Sequence, residues 1–122
     1  MINFCRKRFV SEKVTFTKAS YLNHPCSFSV ISGTFNRAVV SKLAVWEAYV
    51  VSNLFEIWKN TKKSMVFNIQ YTSSKSSKIT DDMIYYMSHG SLSSLLLDLG
   101  GSSQLIFDDY LPNDVTVVVS KI

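Results

Sequence analysis

The sequence predicts an α+β domain of two layers, a mainly antiparallel sheet covered by one long amphipathic helix. Three observations carry this. Residues 37–61 repeat apolar side chains at helical spacing. Several shorter segments alternate apolar and polar residues, as half-buried strands do. The strands come in sequential pairs, giving the order β-β-α-β-α-α-β-β, which favours antiparallel neighbours.

Each element has its own signal. Val14-Thr15-Phe16-Thr17-Lys18 and Ser27-Phe28-Ser29-Val30-Ile31 alternate on either side of the turn Asn23-His24-Pro25, which reads as a hairpin. In the long helix, Val39, Val40, Leu43, Trp46, Val50, Val51, Leu54, Ile57 and Trp58 fall on one face, with Asn36 as N-cap. Met65, Phe67, Ile69 and Tyr71 then point one way along a strand, and Asn68, Gln70 and Thr72 the other. Thr80, followed by Asp81 and Asp82, predicts a short helix to Ser88. Ser91 predicts the cap of a second short helix that stops at Gly100-Gly101. Leu105-Ile106-Phe107 and Val115 to Val119 read as strands around a turn at Pro112-Asn113-Asp114. The Val115–Val119 run is apolar on both faces and so belongs centrally in the sheet.

A chain of 122 residues with 47% apolar residues suits one globular domain, 1–122, with residues 1–12 a candidate flexible basic arm. No apolar run approaches the ~20 residues of a transmembrane helix, and no signal peptide is read. Cys5 and Cys26 are expected to be free thiols, which fits an intracellular, cytoplasmic protein.

Catalytic motifs are absent. There is no Gly-x-Ser-x-Gly, no glycine-rich phosphate loop and no dinucleotide fingerprint. Cys5, His24, Cys26 and His89 are every Cys and His in the chain, and their spacing is not that of a zinc site. The chain is therefore expected to be no enzyme, with no cofactor or metal, and no small-molecule substrate is identified. One residue breaks the pattern: Glu47 lies near the middle of the long helix's apolar face. A carboxylate there is costly unless paired or protonated, so Glu47 is expected as a buried carboxylate, either held by a basic partner or kept neutral. Asp98, near a helix C-terminus, also calls for a basic neighbour.

Charge carries the functional expectation. Residues 1–78 hold twelve Lys or Arg against three Glu, while residues 79–122 hold Lys121 against six Asp. Such division bears on partners and assembly. The chain is expected to be a small interaction and assembly protein acting through charge-segregated surfaces, binding a protein partner or itself as a homo-oligomer. Tyr21, Phe28, Phe35, Tyr85 and Tyr86 are candidates for the apolar centre of such an interface. The alternative is a nucleic-acid-binding accessory protein, contacting RNA or DNA phosphates through Arg6, Lys7, Arg8, Lys62, Lys63, Lys75 and Lys78.

Overall fold

The computed structural model describes residues 24–122, in which two helices lie on one face of a six-stranded sheet. The strands are β1 (Cys26–Ile31), β2 (Thr61–Thr72), β3 (Lys78–Ile79), β4 (Tyr85–Ser88), β5 (Ser102–Asp108) and β6 (Leu111–Ser120). The helices are α1 (Leu43–Lys59), between β1 and β2, and α2 (His89–Leu99), between β4 and β5.

The twelve-residue β2 is the axis of the sheet. Along one side it pairs antiparallel with β6, from Ser64 opposite Ser120 to Gln70 opposite Asp114. Along the other it pairs in parallel with β1 at its start and with β4 at Tyr71 and Thr72. β5 closes one end of the sheet on β6, and β3 closes the other on β4. The parallel β1–β2 pair needs a crossover, and α1 supplies it.

The core lies between the helices and this sheet. Met65, Phe67 and Ile69 of β2 alternate inward, as do Val115, Val117 and Val119 of β6 and Tyr85 and Met87 of β4. Trp46, Val50, Leu54 and Trp58 of α1 and Leu92, Leu95 and Leu99 of α2 meet them. The tryptophan N–H groups are satisfied within this core: Trp58 Nε1 donates to the Leu99 carbonyl at 3.1 Å, joining the ends of the two helices.

Several expectations are corrected. The α+β class and mainly antiparallel sheet hold, but the described residues form two helices, and the long one runs 17 residues rather than about 24. It starts after Lys42, because residues 36–38 are tied to partners elsewhere in the chain. Asn36 does not cap the helix. Its Oδ1 accepts from Gln70 N at 3.1 Å and its carbonyl from Tyr85 N at 2.8 Å. Arg37 bridges Ile84, and Ala38 N donates to the Met83 carbonyl. Val39 and Val40 are exposed in the loop that follows.

The short helix expected at 80–88 is a turn and a strand. Tyr85 and Met87 are fully buried with Tyr86 between them partly exposed, a period of two that a helix would destroy. Thr80 closes the turn instead of capping a helix. Its Oγ1 accepts from Ile84 N and its carbonyl from Met83 N, with Met83 in the left-handed region at φ 65°. The second helix is capped one turn earlier than expected, by Ser88, whose Oγ accepts from Ser91 N at 3.1 Å. The turn between β5 and β6 lies at Asp109-Tyr110, where Asp108 Oδ1 accepts from Tyr110 N. Pro112 is thus inside β6, but ahead of its pairing with β2, where a missing N–H costs no bond to that strand. Val115–Val119 is central, flanked by β2 and β5. The expected strand at 14–18, its hairpin and the arm at 1–12 lie outside the described residues.

Candidate functional site: a hydroxyl-clasped carboxylate and two charged ends

Glu47 leaves α1 one turn after its start and points between the helices. It is partly buried, and its partners are hydroxyl groups rather than the expected basic residue. The Tyr85 hydroxyl donates to Oε2 at 2.6 Å and the Ser91 hydroxyl to Oε1 at 2.8 Å. Three elements therefore meet on one carboxylate: α1, β4 and the first turn of α2. Serines extend the network. Ser88 Oγ and Ser77 Oγ lie 3.1 and 3.3 Å from Ser91 Oγ, and Ser88 N donates to Ser77 Oγ at 2.9 Å. Burial, and then the bond to Glu47 and its charge, push the Tyr85 phenol well above its ordinary pKa.

Beside this clasp is an open cleft of about 470 Å³, lined by Glu47, Val51, Lys75, Ser91, Ser94, Leu95 and Asp98 among others. Asp98 is solvent-exposed there, in the same cleft as Lys75. Both Glu47 oxygens are occupied by hydroxyls of its own chain, and a ligand would have to displace them. The arrangement fastens α1 to β4 and α2. Sequence reasoning singled out Glu47 but missed Tyr85, Ser88 and Ser91 as its surroundings. The Ser88/Ser91 spacing of a capped helix start was the one local signal; the Glu47–Tyr85 contact spans 38 residues and left none.

The charged candidates are divided by the sheet. Lys59 ends α1, Lys62 and Lys63 begin β2, and Lys121 follows β6, so these four gather at one end. Lys121 N donates to the Lys63 carbonyl at 2.7 Å. Lys63 lies over the Phe28 ring at 5.8 Å and Lys121 over Trp58 at 4.2 Å. Cys26, at the start of β1, lies at this end as well, its N donating to the Asn60 carbonyl. Asp108 and Asp109 sit at the opposite end of β6, roughly 30 Å away at ~3.3 Å per residue, and Asp114, three residues into the strand, about 20 Å away. Lys75 and Lys78 follow the far end of β2, so the structure does not bring them to Lys62 and Lys63. Arg6, Lys7 and Arg8 lie outside the described residues.

The interface candidates also divide. Phe28 is 64% exposed, whereas Phe35 at 4% and Tyr85 at 0% are core residues and offer no surface. Tyr86 is partly buried under Lys78, and Tyr21 lies outside the described residues. Cys26 is a free, partly buried thiol at the start of β1. Among the described residues, no three His, Cys, Asp or Glu side chains gather as metal ligands, and no helix is long and apolar enough to cross a membrane. The chain matches no protein-family model and no curated protein sequence.

Proposed function

We propose that this chain is a non-enzymatic interaction and assembly protein that works as a homo-oligomer through charge-segregated surfaces. One observation supports the reading most. The strand β6 runs from a cluster of carboxylates, Asp108, Asp109 and Asp114, to a cluster of lysines, Lys62, Lys63 and Lys121. Two copies laid antiparallel set each cluster against its opposite. Such complementarity raises encounter rates and fixes docking register. Sedimentation of the full chain at low and high salt tests it. Self-association at micromolar concentration that weakens with salt is expected; a monomer at both salts, with no partner recovered, overturns the proposal.

A second reading, nucleic-acid binding, is favoured by the lysine end together with the charge of residues 1–23. Residues 24–122 carry eight basic and eight acidic residues, so the net charge of +4 belongs to residues 1–23, with Arg6, Lys7, Arg8, Lys13 and Lys18 against Glu12. On this reading, Lys62→Ala with Lys63→Ala weakens binding to random RNA and lowers its salt dependence by about two counterion contacts. Lys75→Ala with Lys78→Ala, at the other end, has a smaller effect. Equal effects of the two pairs, or binding insensitive to salt, overturn it.

A further inference from the structure

We infer that β5 is the edge at which two copies of this chain join, pairing antiparallel about Leu105 so that two sheets become one. This rests on the self-association reading above and names its surface.

The first ground is an open edge. Among the described residues, β5 bonds β6 on one side and ends the sheet on the other, and six of its seven residues are exposed, all but Leu105. Unpaired strand edges invite a further strand, and proteins usually block them with proline, lysine, bulges or very short strands. The other edges carry such devices. β3 has two residues, one of them Lys78. The register of β1 breaks between Cys26 and Phe28, with Lys63 set over the Phe28 ring. Ser102-Ser103-Gln104-Leu105-Ile106-Phe107 has no charge and no proline, and the register break and the charge of β5 come only at its end, at Phe107/Asp108.

The second ground is charge. β5 begins beside the lysine end, where Ser102 pairs with Ser120 next to Lys121, and finishes at Asp108. Antiparallel pairing about Leu105 sets Asp108 of each copy opposite Ser102 of the other, and so brings Asp108 and Asp109 toward the partner's lysine end, twice. Parallel pairing would set Asp108 against Asp108. The electrostatics thus select the antiparallel arrangement.

The third ground is the apolar centre this register creates. Leu105 faces Leu105, Gln104 faces Ile106, and Ser103 faces Phe107. Ile106 and Phe107 are 47% and 55% exposed in the single chain, and each gains a partner side chain. Because the contact is isologous, it closes at two copies and consumes the edge on both, which prevents open-ended strand addition.

The experiment is sedimentation velocity of the full chain, paired with cross-linking. The unsubstituted chain is expected at twice the 13.8 kDa subunit mass at micromolar concentration. Ile106→Lys, on the sheet face away from the helices, is expected to keep the circular dichroism spectrum and weaken the dimer at least tenfold. In a Cys5→Ser, Cys26→Ser background, Leu105→Cys is expected to form a disulfide-linked dimer under mild oxidation, since directly opposed residues have Cβ atoms within reach of a disulfide. A dimer that ignores Ile106→Lys and gives no cross-link through position 105 overturns the β5 edge but leaves self-association standing. A monomer at every concentration overturns both. Should Ile106→Lys fail to fold, the cross-link decides alone.

Discussion

The Tyr85 hydroxyl donates to Glu47 Oε2 across 2.6 Å, joining a fully buried strand residue to the first turns of a helix 38 residues earlier. This bond explains how a carboxylate is tolerated on the inner side of α1. Its second oxygen takes the Ser91 hydroxyl, so each oxygen has its own donor. Hydrogen bonds to a charged acceptor are worth more than neutral ones, about 1.5–3 kcal/mol against 0.5–1.5.

Tyr85→Phe is therefore expected to destabilise the fold by about 1–2 kcal/mol, with the ring still packed and one donor lost. Glu47→Gln keeps the shape and lets both hydroxyls reorient, and should cost about as much. Glu47→Leu, which leaves the Tyr85 and Ser91 hydroxyls without their acceptor, should cost more. Urea denaturation of the three variants checks the order; a neutral Glu47→Leu would mean the clasp contributes nothing to stability.

Alkaline pH should weaken the protein through the same residue. The folded phenol of Tyr85 has a raised pKa, so above the ordinary tyrosine value of about 10 the unfolded chain loses a proton that the folded chain keeps. The stabilisation is complete below that value and declines as pH rises beyond it. Stability measured from pH 8 to 11 is expected to fall more steeply for the unsubstituted chain than for Tyr85→Phe. Parallel curves would remove Tyr85 as the cause.

Leu54→Ala should cost about 2–5 kcal/mol, because Leu54 is fully buried where α1 meets the sheet. Exposed Val45, on the opposite side of the same helix, is the control, and Val45→Ala should change stability by less than about 0.5 kcal/mol. Thermal and urea denaturation of the pair check the orientation of α1.

The two glycines after α2 should differ. Both have positive φ, 72° at Gly100 and 75° at Gly101, so alanine is strained at either. At Gly100 a Cβ would meet nothing, and Gly100→Ala should cost about 1 kcal/mol. At Gly101 the Cβ would collide with the Ser120 carbonyl oxygen, which belongs to the backbone of β6 and cannot yield cheaply. Gly101→Ala should be several times more damaging, visible as a lower melting temperature. Equal effects would place the cost in φ alone.

The chain's own sequence determined those parts whose signal is periodic and local. The inward phase of Trp46, Val50 and Leu54 was legible because the helix repeats that face every turn. Met65, Phe67 and Ile69 alternated as the strand required, and the valine run of β6 announced a strand with neighbours on both sides. Tertiary structure decided the rest, through partners distant in sequence. Residues 85–87 became a strand because β2 and Asn36 offered their backbone groups a pair and the core took Tyr85 and Met87. Asn36 left the helix start because Gln70 and Tyr85 claimed its side chain and carbonyl. The lysines at 62–63 and 75–78, near in number, were set at opposite ends by an extended β2, since a strand rises ~3.3 Å per residue where a loop could have folded back. Glu47 found hydroxyl donors rather than a cation for the same reason: which side chains meet a carboxylate depends on how α1, β4 and α2 dock, and no local repeat in the chain records that.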